Sequence, residues 1–261
     1  MLTEKTQRNR SSEPDRETVE YHAEIHNVNL SSSSHTRVWF WVLILVYTAA
    51  RVLQVYPGRV SMLWIVVLHV VPTALFALIH GARRYGMRGI LAFFAICLAV
   101  SGTLENIGVF TGIPYGRYYF TDVMGSKLLF VPLLLALAYV GMGYLSWTLA
   151  VVIAGAPRAA IPFLASFVMV SWDLSMEPVW ATVVHAWKWL DGGPYFGVPL
   201  SNFVGWLLTV WLIYQLFALF LRRGATRINT QPTGYLREAI AFYAASALGI
   251  CCSCYLTQDR L

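Results

Sequence analysis

Long apolar stretches alternate with short polar ones along almost the whole chain. Seven of them, each of about 20 residues or more, lie at about 38–56, 60–80, 89–110, 127–154, 159–180, 200–221 and 236–257. About 20 apolar residues are enough for an α-helix to cross the ~30 Å hydrocarbon core of a bilayer. The pattern therefore predicts an all-α fold, a polytopic membrane helical bundle of about seven transmembrane helices. The composition agrees, since 57% of the residues are hydrophobic and only 12% are charged.

The polar ends of the chain differ from the segments between them. Residues 1–37 are rich in serine and in charges of both signs, so we expect them to form a disordered polar tail. The transmembrane helical domain is then expected at 38–257, with a short C-terminal tail at 258–261.

Basic residues are unevenly divided between the two sides that an odd number of helices creates. Of the 19 lysines and arginines, thirteen fall on the side of the N-terminal tail and six on the other side. By the positive-inside rule, this asymmetry predicts an integral protein of the cytoplasmic (inner) membrane with its N-terminus in the cytoplasm. Membrane lipids are the expected partners of these basic residues. The net charge of +6 needs no nucleic acid to explain it.

Two carboxyl groups, Asp173 and Glu177, interrupt the fifth apolar stretch. At ~100° per residue they share one helix face with Met169, Met176 and Trp180. Each acid would cost roughly 2.5 to 3.5 kcal/mol at the bilayer centre, so this face is expected to line a protein interior, a water-filled cavity or a substrate pocket. A network of hydrogen bonds between helices is the structural alternative.

The predicted topology gathers further polar and aromatic residues at the same membrane side as these acids. Glu105 lies near the outer end of the third stretch. An ion pair with Arg51 is its structural alternative to a catalytic role. The other candidates are Tyr115, Tyr118, Trp187, Tyr195, Asn202 and Trp206.

Several kinds of chemistry lack their usual motifs in this chain. We find no GxSxG nucleophile, P-loop, GxGxxG fingerprint or DDxxD-like diphosphate motif. The histidines and four cysteines show no metal-ligand spacing, so neither a metal nor a redox cofactor is expected. Proton chemistry remains, because burial disfavours the charged form of a carboxyl group and one of two paired acids can stay protonated as a general acid. Nearby aromatic faces can stabilise a developing carbocation.

Two groups of motifs resemble those of a known family. The first comprises DLSMEP at 173–178, WKW at 187–189 and GPYFGVPLSNFVGW at 193–206; the second comprises ENIG at 105–108, GIPYGRY at 112–118 and VP at 131–132. Together they are similar to the membrane carotenoid 1,2-hydratases that act on γ-carotene or bisanhydrobacterioruberin. The resemblance spans about residues 40–221. One departure is Glu177, where the family pattern leads us to expect Asp.

The resemblance implies addition of water across the terminal C1=C2 double bond of an acyclic carotenoid ψ-end, with lycopene, γ-carotene or bisanhydrobacterioruberin as the type of substrate. An acid protonates C2, and water captures the tertiary cation at C1. On this view, Asp173 or Glu177 donates the proton and Glu105 is its partner or the base that orients water. Tyr195 and Asn202 would position water, whereas Trp180, Trp187 and Trp206 would line the polyene channel.

Three other functions remain open at this stage. A membrane carotenoid cyclase starts with the same protonation, but an internal alkene captures the cation. A non-catalytic carotenoid- or lipid-binding membrane protein would use the acids structurally. A transporter could use them as a proton relay, although no inverted repeat supports it.

Overall fold

The computed structural model describes residues 36–54, 56, 59–155, 158–224, 228–229, 231 and 234–256, with side chains as far as Leu248. The predicted tail 1–37 lies outside this range except for its last two residues, which belong to the first helix. The predicted tail 258–261 and the side chains of the Cys251–Cys254 cluster also lie outside it.

Six α-helices make up most of the described chain. They are α1 (Thr36–Gln54), α2 (Met62–Thr111), α3 (Leu133–Ala154), α4 (Ile161–Pro178), α5 (Leu200–Arg222) and α6 (Tyr235–Leu256). Four of them, α1, α2, α3 and α5, are long and apolar enough to cross a membrane. These apolar helices indicate a membrane protein, so the predicted helical fold class is confirmed in part. The count of seven spans stays a prediction.

The long helix α2 changes direction at Gly86. A straight helix of its 50 residues would measure about 75 Å, more than twice the hydrocarbon core. Gly86 has a φ of 67° and a ψ of 167°, which is not helical, and a Cβ added at Gly81 would lie 2.4 Å from Ile90. Those two residues would be ~13.5 Å apart along a straight helix. The chain therefore turns back at Gly86, between the predicted stretches 60–80 and 89–110.

Two short antiparallel ribbons lie in the loops between the helices. Strands β1 (Tyr118–Phe120) and β4 (Trp187–Trp189) pair in the register Tyr118 to Trp189. Strands β2 (Lys127–Leu128) and β3 (Val131–Pro132) form the second ribbon, within the region predicted to begin the fourth helix. The first ribbon joins the loop after α2 to the loop after α4. It therefore brings the two motif groups of the sequence together.

Aromatic side chains fill much of the core between the helices. Phe76 of α2 contacts Phe40 of α1 and Phe242 of α6, with ring centroids 4.9 and 5.2 Å apart. His80 of α2 is fully buried, and its Nδ1 lies 2.6 Å from the hydroxyl of Tyr144 in α3. This histidine is therefore satisfied by packing and hydrogen bonds.

Candidate active site

Glu105, in the last turns of α2, is bound through both of its carboxyl oxygens. Its side chain is 3% exposed. Oε2 accepts a hydrogen bond of 2.5 Å from the Tyr118 hydroxyl, and Oε1 accepts one of 2.5 Å from the Tyr139 hydroxyl. Tyr118 begins β1 and Tyr139 lies in α3, so three separate elements fix the position of this acid.

The ion pair between Glu105 and Arg51 does not form. Arg51 donates instead to the hydroxyl of Tyr47, at 2.6 Å from Nη2, and to Oε1 of Gln54, at 3.2 Å from Nη1. That structural alternative is therefore wrong. The hydrogen-bond partners of Glu105 are neutral phenols.

Glu177 accepts two indole hydrogen bonds on a single oxygen. It precedes Pro178 at the end of α4 and is 1% exposed. Its Oε1 lies 2.6 Å from Nε1 of Trp187 and 2.8 Å from Nε1 of Trp189. Alternate residues of a β-strand point to the same face, so β4 directs both indoles to this carboxyl group.

Asp173, one turn before Glu177, is completely buried. Neither of its carboxyl oxygens has a hydrogen-bond partner in the part of the chain that the structure describes. A polar network between helices therefore does not hold this side chain. Because residues four apart lie on one helix face, the two acids are neighbours with different surroundings.

A small cavity of about 20 Å³ joins Glu105 and Glu177. A water molecule needs ~10–15 Å³ of such space, so the volume suits one water. Asn202, in the first turn of α5, lines it too, and its buried Nδ2 has no hydrogen-bond partner among the described residues. The remaining lining residues are Tyr115, Tyr118, Phe120, Leu135, Trp187, Trp189 and Trp206.

A second cavity, of about 50 Å³, is almost entirely apolar. Trp172, Met176 and Trp180 of the fifth predicted stretch line it. Trp180 stacks on Trp187 with ring centroids 6.5 Å apart and planes 8° apart. Trp187 and Leu135 line both cavities. The aromatic cavity and the acid-lined cavity are therefore neighbours separated by these side chains.

His69 contributes an unexpected polar ring to the wall of the aromatic cavity. Its side chain is 4% exposed. Neither ring nitrogen has a hydrogen-bond partner within the described residues. The ring makes an edge contact with Trp180 at 6.0 Å between centroids. His69 is therefore packed against Trp180 without a hydrogen bond to its ring nitrogens from the described residues.

Tyr115 fixes the loop after α2 against α5. Its ring packs between Gly108 and Gly205, where an added Cβ would lie 2.5 or 2.6 Å from it. Its hydroxyl is 2.7 Å from Oγ1 of Thr209. Those two glycines thus allow α2 and α5 to approach the same aromatic ring.

Three predicted site residues, Asp173, Tyr195 and Met169, do not line either cavity. The hydroxyl of Tyr195 donates to the carbonyl of Leu174 at 3.0 Å. Pro178 has no N–H to donate to this carbonyl. The Tyr195 hydroxyl therefore supplies the hydrogen bond that the helix lacks at this point. The sulfur of Met169 lies 3.5 Å from Oγ of Ser146 and packs α4 against α3.

Three further residues belong to the site although the sequence did not single them out as functional: Tyr139, Trp172 and Trp189. Trp189 had a usable signal, because the WKW pattern has strand periodicity. Tyr139 lies in an apolar stretch, and its position in the helical repeat does not set it apart from its neighbours. Its role depends on how α3 packs against α2.

An exposed ion pair ties the two site loops together. Arg117 donates from Nε to Oδ2 of Asp191 at 2.8 Å and from Nη2 to Oδ1. The backbone N–H of Leu190 donates to the carbonyl of Arg117 at 2.9 Å. The hydrogen bonds and charge of the guanidinium hold the pKa of Asp191 below its ordinary value. The ion pair therefore holds β1 and β4 together at the end of the ribbon where Tyr118 pairs with Trp189.

The carboxyl groups of the site are not arranged as metal ligands. No group of three or more His, Cys, Asp or Glu side chains in the described chain could hold a metal ion. The hydrogen-bond donors that reach Glu105 and Glu177 are hydroxyl and indole groups.

These features define a class: a helical membrane protein with buried carboxyl groups beside an aromatic cavity. Comparison with protein families identifies the class further. Residues 60–257 match the family model described as carotenoid biosynthesis protein, and the chain belongs to this family. The protein therefore has a role in carotenoid biosynthesis. Comparisons with curated proteins and with solved structures gave no match.

Proposed function

We propose that this protein is a carotenoid hydratase that adds water to the terminal C1=C2 double bond of an acyclic carotenoid ψ-end. The observation that carries the proposal is the pair of neighbouring cavities. One is aromatic and apolar, and the other has the size of a water molecule and is lined by Glu105 and Glu177. An alkene and a water molecule thus each have a suitable place.

The reaction balances without a redox cofactor. A carboxylic acid transfers its proton to C2, and the electron pair of the double bond forms the new C–H bond. The tertiary cation at C1 then accepts an electron pair from the water oxygen. A carboxylate takes the surplus proton, which leaves a tertiary alcohol.

Glu177 is the acid that we assign to the protonation step. It lines the water-sized cavity, and both of its recorded hydrogen bonds go to Oε1. Its Oε2 is therefore the oxygen that can carry the proton to the alkene. The faces of Trp180 and Trp187 beside it would stabilise the cation, since aromatic faces attract positive charge.

Glu105 is the base that we assign to the water. Its two oxygens each accept a phenolic hydrogen bond, which stabilises a carboxylate, whereas both recorded hydrogen bonds of Glu177 go to Oε1 and leave Oε2 for a proton. Asn202, whose buried Nδ2 has no partner in the described structure, would orient the water oxygen. Both side chains line the same cavity.

Asp173 acts on the reaction through Glu177. It lines neither cavity, and a buried carboxylate without hydrogen-bond partners is energetically costly. We assign it the neutral form and a positioning role.

The water-sized cavity favours hydration over the cyclase alternative. A cyclase has to exclude water from the cation so that an internal alkene can capture it. Here Asn202 and two carboxyl groups surround the small cavity, and these polar groups retain water.

We further propose seven membrane spans in the cytoplasmic membrane with the N-terminus in the cytoplasm. The reversal of α2 at Gly86 supports two spans in that helix. With α1, α3, α4, α5 and α6 the total is then seven. The excess of basic residues on the side of the N-terminal tail supports the orientation.

Expression in a host that accumulates lycopene or γ-carotene tests the hydratase. Pigments are extracted and their masses measured, because hydration adds one water per reacting end and cyclisation adds nothing. The wild type should yield hydroxylated products. Glu177→Gln should reduce their amount by about 10²–10⁴-fold, the usual contribution of a general acid.

Glu105→Gln and Asp173→Asn complete the series, with Asp122→Asn as the matched control. Asp122 is an exposed loop carboxyl group paired with Lys127 at 3.0 Å, so its variant should convert pigment like the wild type. Each variant is normalised to folded protein by size-exclusion chromatography in detergent. Unchanged hydroxylation by folded Glu177→Gln would refute its assignment, and cyclised products of unaltered mass would refute the hydratase.

A further inference from the structure

A third cavity lies at the opposite end of the helical bundle from the carboxyl groups. Its volume is about 240 Å³, well above those of the two site cavities. The end of the first half of α2, the end of α3, the start of α4 and the end of α5 surround it. It is large enough for a polar group several times the size of water.

Helix α3 gives the separation between this cavity and the candidate active site. Tyr139 belongs to the site, whereas Val151 lines the third cavity. Position 151 is twelve residues after position 139, which corresponds to about 18 Å of helix. The cavity is therefore distinct from the carboxyl site.

Two arginines, Arg84 and Arg222, line the third cavity. Nε of Arg84 is buried and has no hydrogen-bond partner in the described chain. The guanidinium carbon lies 5.6 Å from the ring centroid of Tyr85, and Nε1 of Trp147 donates to the Tyr85 hydroxyl at 2.9 Å. Leaving a buried guanidinium N–H without an acceptor is costly. An anionic oxygen in the cavity would satisfy it.

Charge around this end of the bundle has one dominant sign. The described basic residues there include Arg83, Arg84, Arg88, Arg158, Arg222, Arg223 and Arg237. Glu238 is the one acid at that end among the described residues. Basic pockets between the ends of membrane helices attract anionic lipid headgroups. The local field therefore favours a negatively charged ligand.

The remaining wall of the cavity is apolar and includes Val151, Ile161 and Leu221. A free inorganic anion would make no use of this surface. A lipid would place its phosphate between the arginines and its glycerol and acyl carbons along the apolar wall.

We propose that the third cavity binds the phosphate group of an anionic membrane lipid. Arg84 and Arg222 bind the phosphate oxygens, and the walls of α3, α4 and α5 contact the apolar part of the lipid. The bound lipid closes the gap between four helix ends. This site is independent of the hydratase reaction.

Native mass spectrometry of the purified full-length protein in detergent tests the proposal. The protein is titrated with dioleoylphosphatidylglycerol and, separately, with zwitterionic dioleoylphosphatidylcholine. The anionic lipid should bind about tenfold more tightly. Arg222→Gln and Arg84→Gln should each weaken its binding about fivefold. Arg223→Gln is the matched control, because Arg223 neighbours Arg222 but does not line the cavity.

Equal binding of the two lipids would overturn the proposal. An equal loss in Arg223→Gln and Arg222→Gln would also overturn it, because it would indicate a diffuse surface charge. Displacement of the anionic lipid by inorganic phosphate at equal concentration would indicate a free-anion site instead. If Arg84→Gln does not fold, Arg84→Lys and the exposed Arg222→Gln still decide the question.

Pigment conversion separates this proposal from the proposed function. Neither arginine lies in the carboxyl site, so conversion per folded protein should stay within about twofold of the wild type for sites this far apart. A wild type that converts no pigment but still selects the anionic lipid would refute the hydratase and leave the lipid site standing.

Discussion

At the scale of single residues, three buried carboxyl groups of similar type have three different hydrogen-bond environments. Glu105 accepts two phenols, Glu177 accepts two indoles on one oxygen, and Asp173 has no partner in the described chain. The three acids therefore differ in chemistry more because of their surroundings than because of their residue type. Such separation is how one site obtains both an acid and a base.

The indole N–H groups of Trp187 and Trp189 should be needed to position the carboxyl group of Glu177. Trp187→Phe and Trp189→Phe keep an aromatic ring but remove the donor to Oε1. Each should lower hydroxylated pigment about tenfold, because the indole N–H stabilises the carboxylate that Glu177 becomes as it gives up its proton, and a hydrogen bond to a charged group contributes roughly 1.5–3 kcal/mol. The measurement is product per folded protein.

Trp172→Phe is the matched control for these two substitutions. Trp172 lines the aromatic cavity, but its buried Nε1 has no partner among the described residues. The same loss of ring volume at Trp172 should lower hydroxylated pigment less than about threefold, which is the effect of a modest packing change. An equal loss in all three variants would show that ring size matters and the donor does not.

The sequence was informative about these residues only where their chemistry conflicts with their surroundings. Asp173 and Glu177 stand out because acids are costly in an apolar run. Tyr139 does not stand out, since a tyrosine is ordinary near the end of a membrane helix. Its importance arises from the packing of α3 against α2, which no local pattern encodes.

At the scale of elements, Tyr115 is the contact that sets the distance between α2 and α5. Gly108→Ala and Gly205→Ala would each place a methyl group against its ring, 2.5 and 2.6 Å away. Overpacking of this kind typically costs about 1–3 kcal/mol. Both variants should therefore lower the midpoint of thermal unfolding in detergent.

Gly102→Ala in the same helix α2 is the control for this prediction. An added Cβ at Gly102 meets nothing within 4 Å, and alanine is favoured over glycine inside a helix by about 1 kcal/mol. The midpoint should rise or stay unchanged. A fall equal to that of Gly108→Ala would mean that helix flexibility, not contact with Tyr115, explains the effect.

The ion pair between Arg117 and Asp191 should stop stabilising the β1–β4 ribbon in acid. The pKa of Asp191 is held below its ordinary value by Arg117, so the pair stabilises the fold above the ordinary pKa of aspartate, about 3.9. This contribution disappears as the pH falls through the lowered pKa. The difference in unfolding midpoint between wild type and Asp191→Asn should therefore be present at pH 7 and vanish on acidification.

High salt gives a second test of the same pair. Both side chains are largely exposed, 67% for Arg117 and 50% for Asp191, so about 1 M salt should screen their attraction. A difference between wild type and Asp191→Asn that persists in acid and in salt would mean that the amide change acts through something other than the ion pair.

Hydrophobic patterning predicted the helices well and the loops poorly. The segment 200–221 and the observed α5, Leu200–Arg222, differ by one residue. In contrast, 127–132 was assigned to a helix but forms β2 and β3. Apolar residues at the end of a membrane helix have the same composition whether they are helical or extended. Pairing between distant strands decides the outcome.

At the scale of the whole molecule, acids and arginines gather at opposite ends of the bundle. Five of the six described acids, all except Glu238, lie in the candidate site or in the loops beside it. The third cavity and its arginines lie at the other end. This polarity gives the proposed hydration site one membrane face and the proposed lipid site the other.

Cysteine labelling can determine both the orientation and the number of spans. Single cysteines replace Ser12, Leu129 or Arg223 in a variant whose four native cysteines are changed to alanine. The reagent is a maleimide that does not cross membranes. Leu129 is 77% exposed in the loop at the acidic end, and Arg223 lies at the arginine-rich end.

With seven spans and a cytoplasmic N-terminus, intact cells should be labelled at position 129 alone, because the positive-inside rule keeps the arginine-rich end in the cytoplasm. Positions 12 and 223 should react only after the membrane is opened. If α2 crossed the membrane once, positions 12 and 129 would react together, since one crossing fewer separates them. Labelling of positions 12 and 223 in intact cells would show the inverse orientation, which would move the candidate site to the cytoplasmic face.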